Sequence, residues 1–116
     1  MNDKRKYKRF SAFLSVLLHE VGTVSNTIKC RTFNVSEGGV GVYCENKLLE
    51  GSLLELSINP VGATTPIKAV AQVVWTQAVS NFCYNAGLNF IDINERDRRG
   101  LVNAAYSNSP YSGNIL

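Results

Sequence analysis

The chain has 116 residues, with 12 Lys and Arg against 9 Asp and Glu for a formal net charge of +3. One domain of that length buries about two thirds of its unfolded surface, and 45% hydrophobic against 18% charged residues exclude a compositionally disordered chain. The charge is unevenly placed: Lys4, Arg5, Lys6, Lys8 and Arg9 against Asp3 give the first nine residues a balance of +4 and leave −1 for the rest, which argues against a protein that coats nucleic acid with a uniformly basic surface.

Residues 1–11 read as a flexible basic arm, because little in them can be buried and like charges repel. Ala12–Glu20 is the first expected strand, with Gly22 and Ser25-Asn26 forming the turn after it. Thr27–Asn34 alternates as a strand with one wet face, Ile28, Cys30, Thr32 and Asn34 against Thr27, Lys29, Arg31 and Phe33. Ser36-Glu37-Gly38-Gly39 is a tight connection into a strand over Val40–Glu45. Leu53–Ile58 is the fourth strand, closed by the Asn59-Pro60-Val61-Gly62 turn. Ile67–Gln77 is the longest strand, and Ser80-Asn81 turns it into Phe82–Ile93. Trp75, Phe33, Phe82 and Phe90 lie in these alternating runs and read as core or barrel-face residues.

The spacing then becomes helical. Leu101, Val102, Ala104 and Ala105 make one stripe of a helix over Glu95–Tyr106, which Asn94 and Asp97 cap. Gly100 inside it costs roughly 1 kcal/mol relative to alanine, so the helix needs support from the sheet. Arg96, Arg98 and Arg99 read as its solvated face. Residues 107–116, with Pro110 and Gly113, read as a mobile tail. Six short strands and one helix over 12–106 predict an all-β fold, a small six-stranded antiparallel β-barrel with a C-terminal α-helix.

Phe10–Leu18 is too short and Ser-interrupted for a secretory signal, and no apolar run is long enough to span a membrane. Cys30, Cys44 and Cys83 are widely spaced, without the close pairs of metal sites, and the chain has one histidine, His19. These features predict three reduced thiols in a cytoplasmic protein, no metal, no cofactor and no Ser-His-Asp set, hence no enzyme.

Two motifs carry function. Arg5-Lys6-Tyr7-Lys8-Arg9 places two arginines four residues apart, and Asn34-Val35-Ser36-Glu37-Gly38-Gly39 joins two strands. In this order and separation they resemble the PilZ domain, a bacterial receptor for the second messenger cyclic di-GMP, whose pattern is R-x-x-x-R before the first strand and [D/N]-x-S-x-x-G some way after it. Arg5, Arg9, Asn34, Ser36 and Gly39 match. Gly87-Leu88-Asn89-Phe90 before the helix is similar to the family's ending, and the resemblance covers nearly the whole chain. Position 34 is Asn where many members have Asp, and an amide donates as well as accepts hydrogen bonds.

The chemistry of the ligand suits these residues. Cyclic di-GMP has two phosphates and two guanines, and an arginine fork pairs with phosphate or with guanine O6 and N7 while its face stacks on a base. Arg5 and Arg9 lie roughly 13 Å apart in an extended arm and can grip different parts of one ligand or of a stacked pair. Asn34 and Ser36, two apart on a strand end, point to one face and present an amide and a hydroxyl; Gly39 admits positive φ and close backbone approach. Lys4, Lys8, Arg31 and Gly38 are possible additional contacts. The resemblance implies a non-enzymatic receptor whose arm orders on binding cyclic di-GMP and signals to an unidentified protein effector, with no nucleic-acid polymer as partner. The alternative is a PilZ-like adaptor that works through protein contacts without nucleotide.

Overall fold

The computed structural model describes residues 8–23, 26–60 and 65–108. Arg5 and Lys4, the Val61-Gly62 half of the expected turn, Ser25 and residues 109–116 lie outside them. Seven strands and one helix follow in order: β1 (Phe10–Ser11), β2 (Ser15–Glu20), β3 (Ile28–Ser36), β4 (Gly39–Cys44), β5 (Leu53–Asn59), β6 (Ile67–Ser80), β7 (Cys83–Asp92) and α1 (Glu95–Asn108). All pairings are antiparallel. Strands run β3-β2-β5-β6-β7-β4, and the β3–β4 pairing closes the ring into the expected six-stranded barrel. β1 is an extra strand, lying on the same edge of β3 as β2 and further along it. Among the described residues no helix is long and apolar enough to cross a membrane.

Alternation places the core. Val16 and Leu18 on β2, Val40 and Val42 on β4, Leu54, Leu56 and Ile58 on β5, and Ala71 and Val73 on β6 all point inward and are buried. Leu101 and Ala105, one helical turn apart on α1, are buried in the same core. The edge of the Phe10 ring meets Tyr106 at a centroid distance of 6.1 Å, holding α1 against β1.

The expected strand over Ala12–Glu20 is split in two. Ala12 and Leu14 are buried with Phe13 exposed between them, but the regular β3 ladder is interrupted here, leaving the backbone bonds from Ala12 N–H to the Phe33 carbonyl at 3.4 Å and from Thr32 N–H to the Leu14 carbonyl at 2.9 Å. The Thr32 side chain fills the gap: its Oγ1 donates to the Ala12 carbonyl at 2.6 Å and accepts from the Leu14 N–H at 2.9 Å. Phe10 and Ser11, placed in the arm by sequence, therefore belong to the sheet, opposite Val35 and Asn34.

A second departure is a β-bulge between Thr32 and Asn34. Uninterrupted alternation would put Asn34 inward; the bulge instead turns Val35 into the core, where it is fully buried. It also shifts the β3–β4 register by one residue. Without it Cys44 would face Arg31; with it Arg31 faces Tyr43 and Cys44 faces Cys30. Cys30 and Cys44 are joined as a disulfide, their Cα atoms 4.9 Å apart. This corrects the expectation of three free thiols and removes that ground for a reducing compartment. Cys83 is the cysteine outside the disulfide, and its interaction with the Tyr43 phenol holds that group's pKa above its usual value.

The α1 cap forms as expected. The Asp97 N–H donates to Asn94 Oδ1 at 2.7 Å, and Asp97 Oδ2 accepts from the Asn94 amide and from the Lys68 N–H, both at 3.3 Å. The helix continues to Asn108, past the expected end at Tyr106. A Cβ on Gly100 would meet only the Ile67 side chain, at 3.8 Å, an ordinary contact. Gly100→Ala therefore stabilises the domain by about 1 kcal/mol through helix propensity, read as a rise of a few degrees in Tm; a fall in Tm would contradict this packing.

Candidate ligand-binding site

The two-residue turn Glu37-Gly38 between β3 and β4 sits over a cleft of about 470 Å³ on the outer face of β4, β7 and β6. Its floor is backbone-rich because glycines lie where the strands cross closely. A Cβ on Gly39 would run into the Leu88 carbonyl oxygen of β7. A Cβ on Gly87 would run into the Trp75 indole, so the ring of β6 lies against a bare stretch of β7. Gly39 thus serves the close approach of β4 to β7, where the sequence pointed to close approach of a ligand; it does not have the expected positive φ, which among the described glycines is found at Gly22 and Gly51.

Arg9, from the chain entering β1, and Arg98, from the second turn of α1, line the cleft together with Ser36, Gly38, Trp75 and Asn89. Among the described residues no carboxylate lines it, so Arg9 and Arg98 share the cleft with no acid in its lining. A larger depression of about 530 Å³ on another part of the barrel has mixed charge. It holds Glu55 and Asp92 with Lys68 and His19, the last lying 3.9 Å from Glu55, and none of the motif residues. Sign of charge, not volume, separates the two.

The sequence motifs divide across this geometry. Arg9, Ser36, Gly38 and Gly39 come together in the cleft. The Ser36 hydroxyl donates to the Gly39 carbonyl at 3.3 Å and accepts from the Gly38 N–H at 3.2 Å, which ties the turn to itself. Asn34 does not line the cleft: its Oδ1 accepts from the Gly41 N–H at 2.9 Å, beside a backbone with no room for a Cβ at position 41. Arg31 is held elsewhere, its guanidinium over the Phe13 and Tyr43 rings at 5.8 and 5.4 Å. The Lys8 ammonium lies 5.9 Å from the centre of the Phe10 ring.

Two cleft residues escaped the sequence reading. Arg98, expected on a solvated helix face, is half-buried, and its Nε is buried with no hydrogen-bond partner among the described residues. Such an atom is costly to leave unpaired. Trp75 was expected in the core or on a barrel face; a bulge between Val73 and Trp75 turns its ring outward over Gly87 and into the cleft wall. Phe82 is neither core nor barrel face: it stands 76% exposed at the β6–β7 tip.

A family model described as the PilZ domain matches residues 3–107. The chain belongs to the PilZ domain family. Solved structures agree on the fold. The inhibitor of motility MotI/DgrA of Bacillus subtilis superposes with a TM-score of 0.74 at 21% identity, covering 91% of this chain and 51% of that one. The PilZ domain of Escherichia coli YcgR with c-di-GMP gives 0.71 at 18% identity, covering 91% and 92%. YcgR of Escherichia coli in complex with c-di-GMP gives 0.70 at 20% identity, covering 90% and 46%. The chain thus spans about half the length of MotI/DgrA and nearly all of the isolated YcgR PilZ domain. Among curated proteins there is no match. PilZ domains are binding and receptor modules rather than enzymes.

Proposed function

We propose that this PilZ domain is a non-enzymatic receptor for cyclic di-GMP and that the Arg9–Arg98 cleft is its binding site. The observation that carries this reading is a glycine-floored cleft holding two arginines and, among the described residues, no carboxylate. Two MotI/DgrA- or YcgR-like features add support: the shared fold, and c-di-GMP in the two YcgR structures. In this reading the guanidiniums take phosphate or the guanine O6/N7 edge, with Arg98 Nε gaining the partner it lacks. The Trp75 ring offers an apolar face for a base. Gly38 in the turn lets the ligand approach the backbone, while Gly39 and Gly87 seat β4 on β7 and the Trp75 ring on β7 to shape the cleft. Arg5, with Lys4 beside it, closes over the ligand as the second arginine of the arm, and ordering the arm creates the surface that a protein effector reads. Ser36 and Asn34 act first by shaping the turn.

Calorimetric titration of the purified chain with cyclic di-GMP tests this. Binding at tens of micromolar or tighter is expected, and Arg9→Ala and Arg98→Ala each weaken it by about tenfold or more, in line with 1–3 kcal/mol per bidentate contact. No binding in that range, or undiminished affinity in both variants, overturns it. The adaptor reading draws on one fact: the Asn34 and Ser36 side chains already have partners inside the hairpin. An effector captured equally with and without cyclic di-GMP would favour it.

A further inference from the structure

The β6–β7 hairpin stands apart in charge. Between Lys68 and Asp92 the sequence contains no Asp, Glu, Lys or Arg, in a chain that otherwise carries 12 basic and 9 acidic residues. It also stands apart in pairing. β5 follows β6 only from Ile67 to Gln72, and two backbone bonds extend the contact to Val73: its carbonyl accepts from Gly51 N–H at 2.8 Å, and its N–H donates to the Ser52 carbonyl at 3.0 Å. Beyond that point Trp75–Ser80 is paired with β7 on one edge, and among the described residues no strand lies along the other.

Free strand edges are ordinarily blunted by lysine, proline or bulges. This one has neither lysine nor proline; its bulges, at the Val73–Trp75 and Ala78–Ser80 steps, leave Trp75–Ala78 as a regular stretch, with Val79 the extra residue of the second bulge. Exposed apolar side chains flank it: Val74 and Val79 on the strand and Phe82 at the tip. We propose that two copies of this chain pair antiparallel through the β6 edge over Trp75–Ser80, continuing the sheet of one barrel into the other.

A second copy fits better than a foreign segment for three reasons. The edge carries no charge pattern with which to select a different sequence, so it offers little specificity beyond backbone bonds. For the same reason identical copies meet without like-charge repulsion. Finally, antiparallel pairing about a two-fold axis is self-complementary, and it closes at a dimer because each copy uses its free edge once.

Sedimentation equilibrium on the full chain, without nucleotide, reads this from low micromolar to several hundred micromolar. The expected result is a mass that doubles across the range, also in Cys83→Ser, which removes thiol cross-linking. The Gln77→Lys/Val79→Lys double variant, with a circular dichroism spectrum like the wild type, stays monomeric. Hydrogen exchange on the wild type supplies a readout that needs no variant: backbone amides of 75–80 exchange more slowly at high protein concentration while other exposed strand ends do not change. A wild type that is monomeric throughout, a dimer lost in Cys83→Ser, a folded double variant that still dimerises, or concentration-independent exchange at 75–80 would each overturn the proposal.

Discussion

Gly39→Ala is expected to be among the most damaging single substitutions in the barrel, although it adds one methyl group. The new Cβ runs into the Leu88 carbonyl oxygen and lies 3.1 Å from the Leu88 carbonyl carbon and 3.2 Å from Asn89 Cα. All three atoms are backbone of β7, which is held between β4 and β6 and cannot turn aside as a side chain can. Relieving the clash means separating β4 from β7 at the floor of the cleft. A loss of about 4 kcal/mol or more is expected, a large share of a domain's usual stability, together with loss of nucleotide binding. Gly51→Ala is the control. Its positive φ makes alanine strained by about 1–2 kcal/mol, but the space around it is open. Urea denaturation separates the two; a Gly39→Ala domain as stable as Gly51→Ala would contradict the close approach of β4 and β7.

Thr32→Val is the second large effect, and its cause is polar. Thr32, Ala12 and Leu14 are all buried, and the Thr32 hydroxyl satisfies both the Ala12 carbonyl and the Leu14 N–H. Valine keeps the shape and removes the hydroxyl, leaving two buried backbone groups unpaired where the chain crosses from β1 to β2. At about 1–3 kcal/mol for each unsatisfied group, the expected loss is about 2–6 kcal/mol. Thr32→Ser keeps the hydroxyl and gives up a methyl, for about 1 kcal/mol. Denaturation midpoints in which valine is no worse than serine would contradict the bridging role. Because the same bridge fixes the path into β1, Thr32→Val also loosens the position of Arg9.

Much of the architecture is legible in the chain order because period-two alternation and turn residues are local signals. β5, β6, β7 and the α1 cap at Asn94 and Asp97 begin and end near where those signals put them. What alternation cannot show is an interruption of itself. The bulge at Phe33 reverses the inward phase of β3, buries Val35, and brings Cys30 opposite Cys44; none of this follows from spacing that assumes a regular ladder. The bulge before Trp75 has the same effect on the indole.

The candidate site is legible where it is local and not where it is assembled. Ser36, Gly38 and Gly39 are one turn, and Arg9 is four residues from Arg5, so motif spacing finds them. Arg98 is 89 positions from Arg9 in the chain and reaches the cleft only because Leu101 and Ala105 dock α1 into the core. A single extra signal was present: three arginines in four residues at the start of a helix is a costly pattern near the positive end of its dipole, which points to an anion nearby.

Trp75 is the chain's only tryptophan and lies in the wall of the proposed site, so its fluorescence reports on that cleft alone. Titration of the purified chain with cyclic di-GMP, using GMP at matched absorbance as the control, is therefore the most direct measurement. A saturable change in Trp75 emission is predicted, with the midpoint found by calorimetry and shifted to higher ligand concentration in Arg9→Ala and Arg98→Ala. Emission that follows the GMP control up to tens of micromolar ligand would contradict the assignment of the cleft.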